Sequence, residues 1–171
     1  MKRHAVLLGA LLLACGAGTG GVPPATAPVL PSPAGDTAPD ADLRRLEQEI
    51  LAAVNEHRVV ARLEPLQDHP GIAAIARRHS RAMAAGGVLF DHTGLDDRAR
   101  AVRGKMTYTR LAENLAYNTA RRPATVAWAL DGWLRSEGHR RNLEGRWHFT
   151  GIGVAQRGRR YYYTQIFVAV R

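Results

Sequence analysis

Leu43, Leu46, Ile50 and Val54 recur at the spacing that lines apolar side chains along one face of a helix. Asp40 or Asp42 stands where such a helix would be capped. Pro65 and the run Asp68-His69-Pro70-Gly71 break the pattern. A second helix is predicted after them, with Ile72, Ile75, Ala76, His79 and Met83 on its inner face and Gly86-Gly87 at its end. Thr93 to Arg103 predicts a short third helix. Pro123 suits the first turn of a fourth, which turns Val126, Ala129, Leu130 and Trp133 inward and stops at Gly138.

The C-terminal part changes period. Thr150 to Gln156 and Tyr161 to Val170 are rich in Tyr, Ile, Val and Thr, and Arg157-Gly158-Arg159-Arg160 supplies a turn between them, so a β-hairpin is predicted. Tyr162, Thr164, Ile166, Val168 and Val170 alternate with Tyr161, Tyr163, Gln165, Phe167 and Ala169. Both sets are largely apolar, which means both faces of the sheet are covered. Helices early and late around a short, mainly antiparallel sheet predict an α+β fold, a three-layer α-β-α sandwich.

The N-terminal residues follow neither period. Lys2 and Arg3 precede a short apolar stretch, Val6 to Ala14, and residues 1–14 read as an export signal, the stretch being shorter than the roughly 20 residues a membrane-spanning helix needs. Leu12-Leu13-Ala14-Cys15 resembles a bacterial lipobox, whose cleavage would leave Cys15 carrying lipid; an ordinary cleaved signal is the alternative. Residues 15–40, rich in Gly, Pro, Ala and Thr, read as a tether of roughly 30 Å as a coil and up to about 80 Å extended. Residues 41–171 form the domain. The expected location is therefore the outer face of a bacterial membrane or the periplasm, with the membrane as partner through Cys15. Cys15 is the sole cysteine, so packing rather than an intramolecular disulfide must stabilise the fold.

Charge narrows the partners. The chain carries a formal net charge of +9, and loss of Lys2 and Arg3 would leave +7. That balance favours anionic envelope polymers or lipid headgroups. Arg77, Arg78, Arg81, Arg98, Arg100 and Arg103 are scattered without interleaved aromatics, which argues against nucleic acid and reads as a solvated helical surface.

Five stretches carry the candidate chemistry: His79-Ser80-Arg81-Ala82-Met83, Phe90-Asp91-His92-Thr93, Glu113-Asn114-Leu115-Ala116, Trp133 through Asn142, and Tyr163-Thr164-Gln165-Ile166-Phe167. Taken in this order they resemble the CAP superfamily, which holds the cysteine-rich secretory proteins, antigen 5 and the plant pathogenesis-related proteins, and in particular its bacterial branch. The resemblance runs from about Leu43 to Val170 and implies the same α-β-α sandwich. It also implies a cleft. The family's first cleft histidine matches His92. The glutamate of its Gly-Glu-Asn motif matches Glu113, with Ala112 in place of the glycine, and the histidine of its Gly-His motif matches His139. The second acidic position of the eukaryotic pattern falls on Ser136, a serine as bacterial members commonly have.

His92 and His139, with or without Glu113, are a reasonable ligand set for Zn²⁺, and Glu113 is the candidate general base; it could instead orient a histidine or a water. A buried polar cluster holding the layers together is the structural alternative. Gly138 is expected to take a left-handed turn that swings His139 off the helix, with Trp133 anchoring the helix end and Arg140, Asn142 and Asn114 supporting the loop. His79 reads as a satisfied core imidazole, and His57, His69 and His148 as surface or loop residues. Ser136 with His139 lacks the elbow and oxyanion hole of a serine hydrolase. Three functions stay open: a module binding a lipid, cell-wall fragment or partner protein, a metal-dependent hydrolase, and a structural envelope protein with a vestigial cleft.

Overall fold

The computed structural model describes residues 40–171, so the export signal, Cys15 and the tether up to residue 39 lie outside the described residues. Asp40, read from sequence as the end of the tether, is the first residue of helix α1 (Asp40–Val60). The order continues with strand β1 (Gln67–Asp68), helices α2 (Pro70–Ala85) and α3 (Leu95–Arg103), strand β2 (Arg110–Asn118), helices α4 (Ala124–Arg135) and α5 (Glu137–Leu143), and strands β3 (Phe149–Arg157) and β4 (Arg160–Ala169). The four strands lie in the order β1-β3-β4-β2, with β1 parallel to β3 and the other pairs antiparallel. The sheet is mainly antiparallel and sandwiched between helices, as the sequence pattern implies.

The apolar periodicity explains both helical layers. Leu43, Leu46, Ile50 and Val54 of α1 pack with Val126, Ala129 and Trp133 of α4 and Leu143 of α5 against Ile152, Val154, Tyr161, Tyr163 and Phe167 of the sheet. On the opposite face Ile72, Ile75 and Ala76 of α2 and Val102 of α3 meet Ile166 and Val168. Every residue from Tyr161 to Ala169 is buried, which is why both alternating sets of β4 had to be apolar or internally bonded.

Two glycines bring α2 onto the sheet. A Cβ on Gly151 would collide with the α2 backbone at Ile72 and Ala73, and one on Gly153 with the backbone at Ala76 and Arg77. Their neighbours Ile152 and Val154 face the other layer, so only the α2 side of β3 is stripped of side chains. The close approach lets Ser80 of α2 donate to the Gly153 carbonyl at 2.9 Å and bond Thr164 at 2.8 Å. It also seats His79, one residue earlier, beneath the sheet edge where the candidate site forms. Gly86 ends α2 at φ 75°, where a side chain would be strained.

Candidate functional site

Glu113 lies near the start of the nine-residue strand β2, paired with Ile166 of the central strand, and its side chain is 0% exposed. A carboxylate so placed needs a cation and donors. Arg98 of α3 supplies both through a two-pronged contact, Nε to Oε2 at 2.6 Å and a terminal nitrogen to Oε1 at 2.6 Å. The same guanidinium donates to the carbonyls of Thr93 at 3.1 Å and His92 at 3.4 Å and reaches Nδ1 of His79 at 3.3 Å. Arg98 thus ties α2, α3, β2 and the loop before α3 together. Its reading from sequence as part of a solvated helical surface is corrected here: it is buried, on the face of α3 it shares with Val102 four residues on. That shared spacing was the available signal. Arg77 is corrected likewise, because it grips the buried Glu47 of α1 at 2.8 and 2.9 Å.

The remaining Glu113 contact sets the chemistry of His92. Nδ1 of His92 lies 2.9 Å from Oε1. An ionised carboxylate only accepts, so Nδ1 carries a proton, and in the neutral ring Nε2 is the nitrogen with the lone pair. The His92 side chain is 48% exposed, so the ring is within reach of solvent. His139 stands across from it with ring centroids 6.3 Å apart. Burial pushes His139 below the usual imidazole range, and the nearby His92 adds to the effect. Two asparagines fix this juxtaposition. Asn114 donates to the His139 carbonyl at 3.0 Å, and Asn142 donates to Asn114 at 2.9 Å and to the Glu113 carbonyl at 3.3 Å.

The approach of His139 differs from the expected route. The helix of Trp133 stops at Arg135, Ser136 takes an extended conformation (φ −91°, ψ 118°), and a new helix, α5, begins at Glu137. Gly138 is therefore an early helical residue with no left-handed turn, and His139 is presented from α5. Ser136 is the residue that breaks the chain, at the N-cap position serines favour. Its side chain makes no hydrogen bond to His139 among the described residues. Arg140 is exposed and makes no side-chain hydrogen bond among the described residues, so the expected support comes from Asn114 and Asn142 alone. A Cβ on Gly138 would meet nothing within 4 Å. Gly138→Ala is accordingly expected to be neutral or to stabilise the fold by up to about 1 kcal/mol in thermal melts, where a left-handed glycine would have been destabilised.

His79 is bonded on one side only. The Arg98 contact requires Nδ1 to accept, because guanidinium nitrogens only donate. Nε2 then carries the proton, and it finds no partner among the described residues. Burial, reinforced by the charge of Arg98, pushes His79 below the usual imidazole range. His69 caps α2, and His57 pairs with Glu144 at 3.2 Å, both away from the cleft.

For a metal ion the cleft offers two imidazoles. Both oxygens of Glu113 are held by Arg98, and one is shared with His92. Among the described residues no group of three or more His, Cys, Asp or Glu side chains is arranged to hold a metal. Glu113 is better placed to orient His92 than to ligate or to activate water.

Known proteins share this arrangement of elements. A family model described as the cysteine-rich secretory protein family, CAP, matches residues 51–169. YlbC, an uncharacterized membrane protein of Bacillus subtilis, is 34% identical over 128 residues, 71% of this chain and 34% of that protein. An extracellular protein of Bacillus anthracis containing an SCP domain superposes with a TM-score of 0.60 at 31% identity, over 74% of this chain and 41% of the other. A cysteine-rich secretory protein of Staphylococcus aureus gives 0.60 at 24% identity over 76% and 40%. An outer surface protein of Borrelia burgdorferi gives 0.66 at 13% identity over 80% and 99%. The last two, at their low identity, speak to the fold. The chain spans about a third of YlbC and two-fifths of the first two solved proteins.

Proposed function

The chain belongs to the cysteine-rich secretory protein (CAP) family, and we propose that it is an extracytoplasmic binding module whose His92–His139 cleft holds a cell-envelope component. The observation that carries this reading is the double commitment of Glu113. A carboxylate clamped by Arg98 and spent on His92 is a positioning group, and a metal-dependent hydrolase would need it free to take a proton. What the cleft presents instead is an acceptor at Nε2 of neutral His92, a neutral imidazole at His139 and, two residues before His92, Phe90 set edge to face against Tyr117 at 4.7 Å. Those groups suit a ligand with one hydroxyl or amide donor beside apolar surface, such as a lipid or a cell-wall fragment. The membrane and extracellular descriptions of YlbC and of the Bacillus anthracis protein support an outer-face location, which an acylated Cys15 would provide.

Zn²⁺ would find His92 Nε2 and His139 here, with its other positions left to water or ligand, and the two-imidazole set implies weak retention. The deciding experiment is an inventory, by mass spectrometry, of molecules and metals released from natively purified protein. The parent is expected to release one envelope-derived class that the His92→Ala, His139→Ala double variant lacks at an unchanged melting temperature. Identical inventories would remove the cleft as the binding site. Metal retained equally by both proteins would remove the two imidazoles as ligands.

A further inference from the structure

One end of the sheet combines exposed apolar side chains, Phe90 and Tyr117 beside the cleft among them, with cationic groups that the cleft does not use. The loop after α2 exposes three consecutive apolar side chains, Val88, Leu89 and Phe90, with Leu89 at 77%. Phe90 leans on Tyr117, itself exposed, and the guanidinium of Arg160 lies over the Tyr117 ring at 5.0 Å. Arg157, at the start of the hairpin turn, donates to the Ala84 carbonyl at the base of the same loop. On the other side of the hairpin a groove of about 510 Å³ is lined by Arg121, Arg122, Arg159, Gln156 and Tyr161.

The charges are largely uncompensated. Arg122 is offset by Asp42 at 3.6 Å and Glu49 at 3.4 Å. Arg121, Arg157, Arg159 and Arg160 have no carboxylate within salt-bridge distance among the described residues. Gln156 gives an Nε2 proton to the Gly158 carbonyl at 2.7 Å, which ties the side chain to the hairpin turn. The first turn of α1 is also at this end, because Asp40 bonds Arg81 at 3.0 Å and Asp42 approaches Arg122. The first turn of α1, where the described residues begin, therefore lies beside the groove.

We infer that this end of the molecule docks on an anionic membrane surface, with the Val88–Phe90 loop entering the interface and the hairpin arginines binding lipid phosphates. A soluble polyanion would use the arginines and leave three adjacent apolar side chains in water. A lipid surface uses both, since apolar tips insert while flanking cations meet headgroups. The proposal does not depend on the cleft. It sets the cleft at the membrane, because His92 follows Phe90 by two residues.

The test is sedimentation of the exported full chain carrying Cys15→Ser, which removes any acyl contribution, with vesicles of phosphatidylglycerol and phosphatidylcholine or of phosphatidylcholine alone. Binding is expected to the anionic vesicles and to weaken as salt rises. The Arg121→Glu, Arg159→Glu double variant should bind at least about ten-fold more weakly. Leu89→Ser, at an exposed position that folding does not need, should bind several-fold more weakly, and the charge-neutral Arg121→Gln, Arg159→Gln variant should fall between the parent and the reversal. Equal binding to neutral vesicles, no binding to either, or binding unchanged by these substitutions would overturn the proposal. So would capture of polyphosphate, lost with the arginines, without vesicle binding, which would assign the groove to a soluble polyanion.

Discussion

Arg98→Met is expected to cost about 3–5 kcal/mol of folding stability, read from urea denaturation at neutral pH. Among the described residues, the side chain it removes is the sole cation in salt-bridge contact with Glu113 other than the titratable His92, and the Glu113 side chain is 0% exposed. Methionine fills similar space with no donor, so the carboxylate would be left buried with one imidazole contact in place of three hydrogen bonds. The penalty is that of an unpaired buried charge, much larger than the net worth of the pair itself. A double-mutant cycle separates the two. Arg98→Met combined with Glu113→Gln removes the charge as well as its partner and is expected to recover at least about half of the loss. A loss under about 1 kcal/mol for Arg98→Met alone would show that the clamp does not hold the layers together.

The same variant tests how the site is organised. Arg98 also holds the carbonyls of His92 and Thr93, so it positions the backbone of the cleft histidine as well as the carboxylate that fixes its tautomer. Ligand retention in the still-folded variant is expected to fall along with stability. A merely structural ion pair would leave retention at the level of the folded fraction.

These residues show where the sequence was informative. The layers were legible because Leu43, Leu46, Ile50 and Val54, and Ile72, Ile75 and Ala76, carry one helical period each, and because β4 is apolar on both alternating faces. Strand β2 was not predicted from its pattern. Leu111, Ala112, Glu113, Asn114 and Leu115 mix charged, amide and apolar residues, since this strand spends two of its inward positions on the site rather than on the core. The break at Ser136 was missed for a related reason. Gly138 is the stronger local signal for ending a helix, yet the chain turns two residues earlier so that α5 can bring His139 over β2. The cleft histidines and Glu113 were found through family resemblance. Arg98 fell outside it, and an arginine among five others on neighbouring helices gives no hint of burial until the partner strand is known.

Trp133→Ala is the second large effect expected, a loss of about 3–5 kcal/mol in the same denaturation measurement. Trp133 is 1% exposed, packs in the cluster shared by α1, α4 and the sheet, and gives its indole proton to the Leu115 carbonyl at 2.9 Å. Truncation leaves a ring-sized cavity and an unpaired acceptor in the middle of β2, two residues from Glu113. Trp133→Phe keeps most of the apolar volume and loses the hydrogen bond, so it is expected to cost about 1–3 kcal/mol. The difference between the two variants isolates packing from the indole contact. Position matters as much as volume. The Trp133 carbonyl accepts from the Ser136 N–H at 3.2 Å, where α4 gives way to α5, so the buried ring is anchored one turn before the break that leads to His139. At a temperature where Trp133→Phe remains folded, its His139 resonances should shift from those of the parent while those of His69, which caps α2 in the opposite layer, stay in place. Unshifted His139 signals would detach the indole from the cleft and leave it a core residue only.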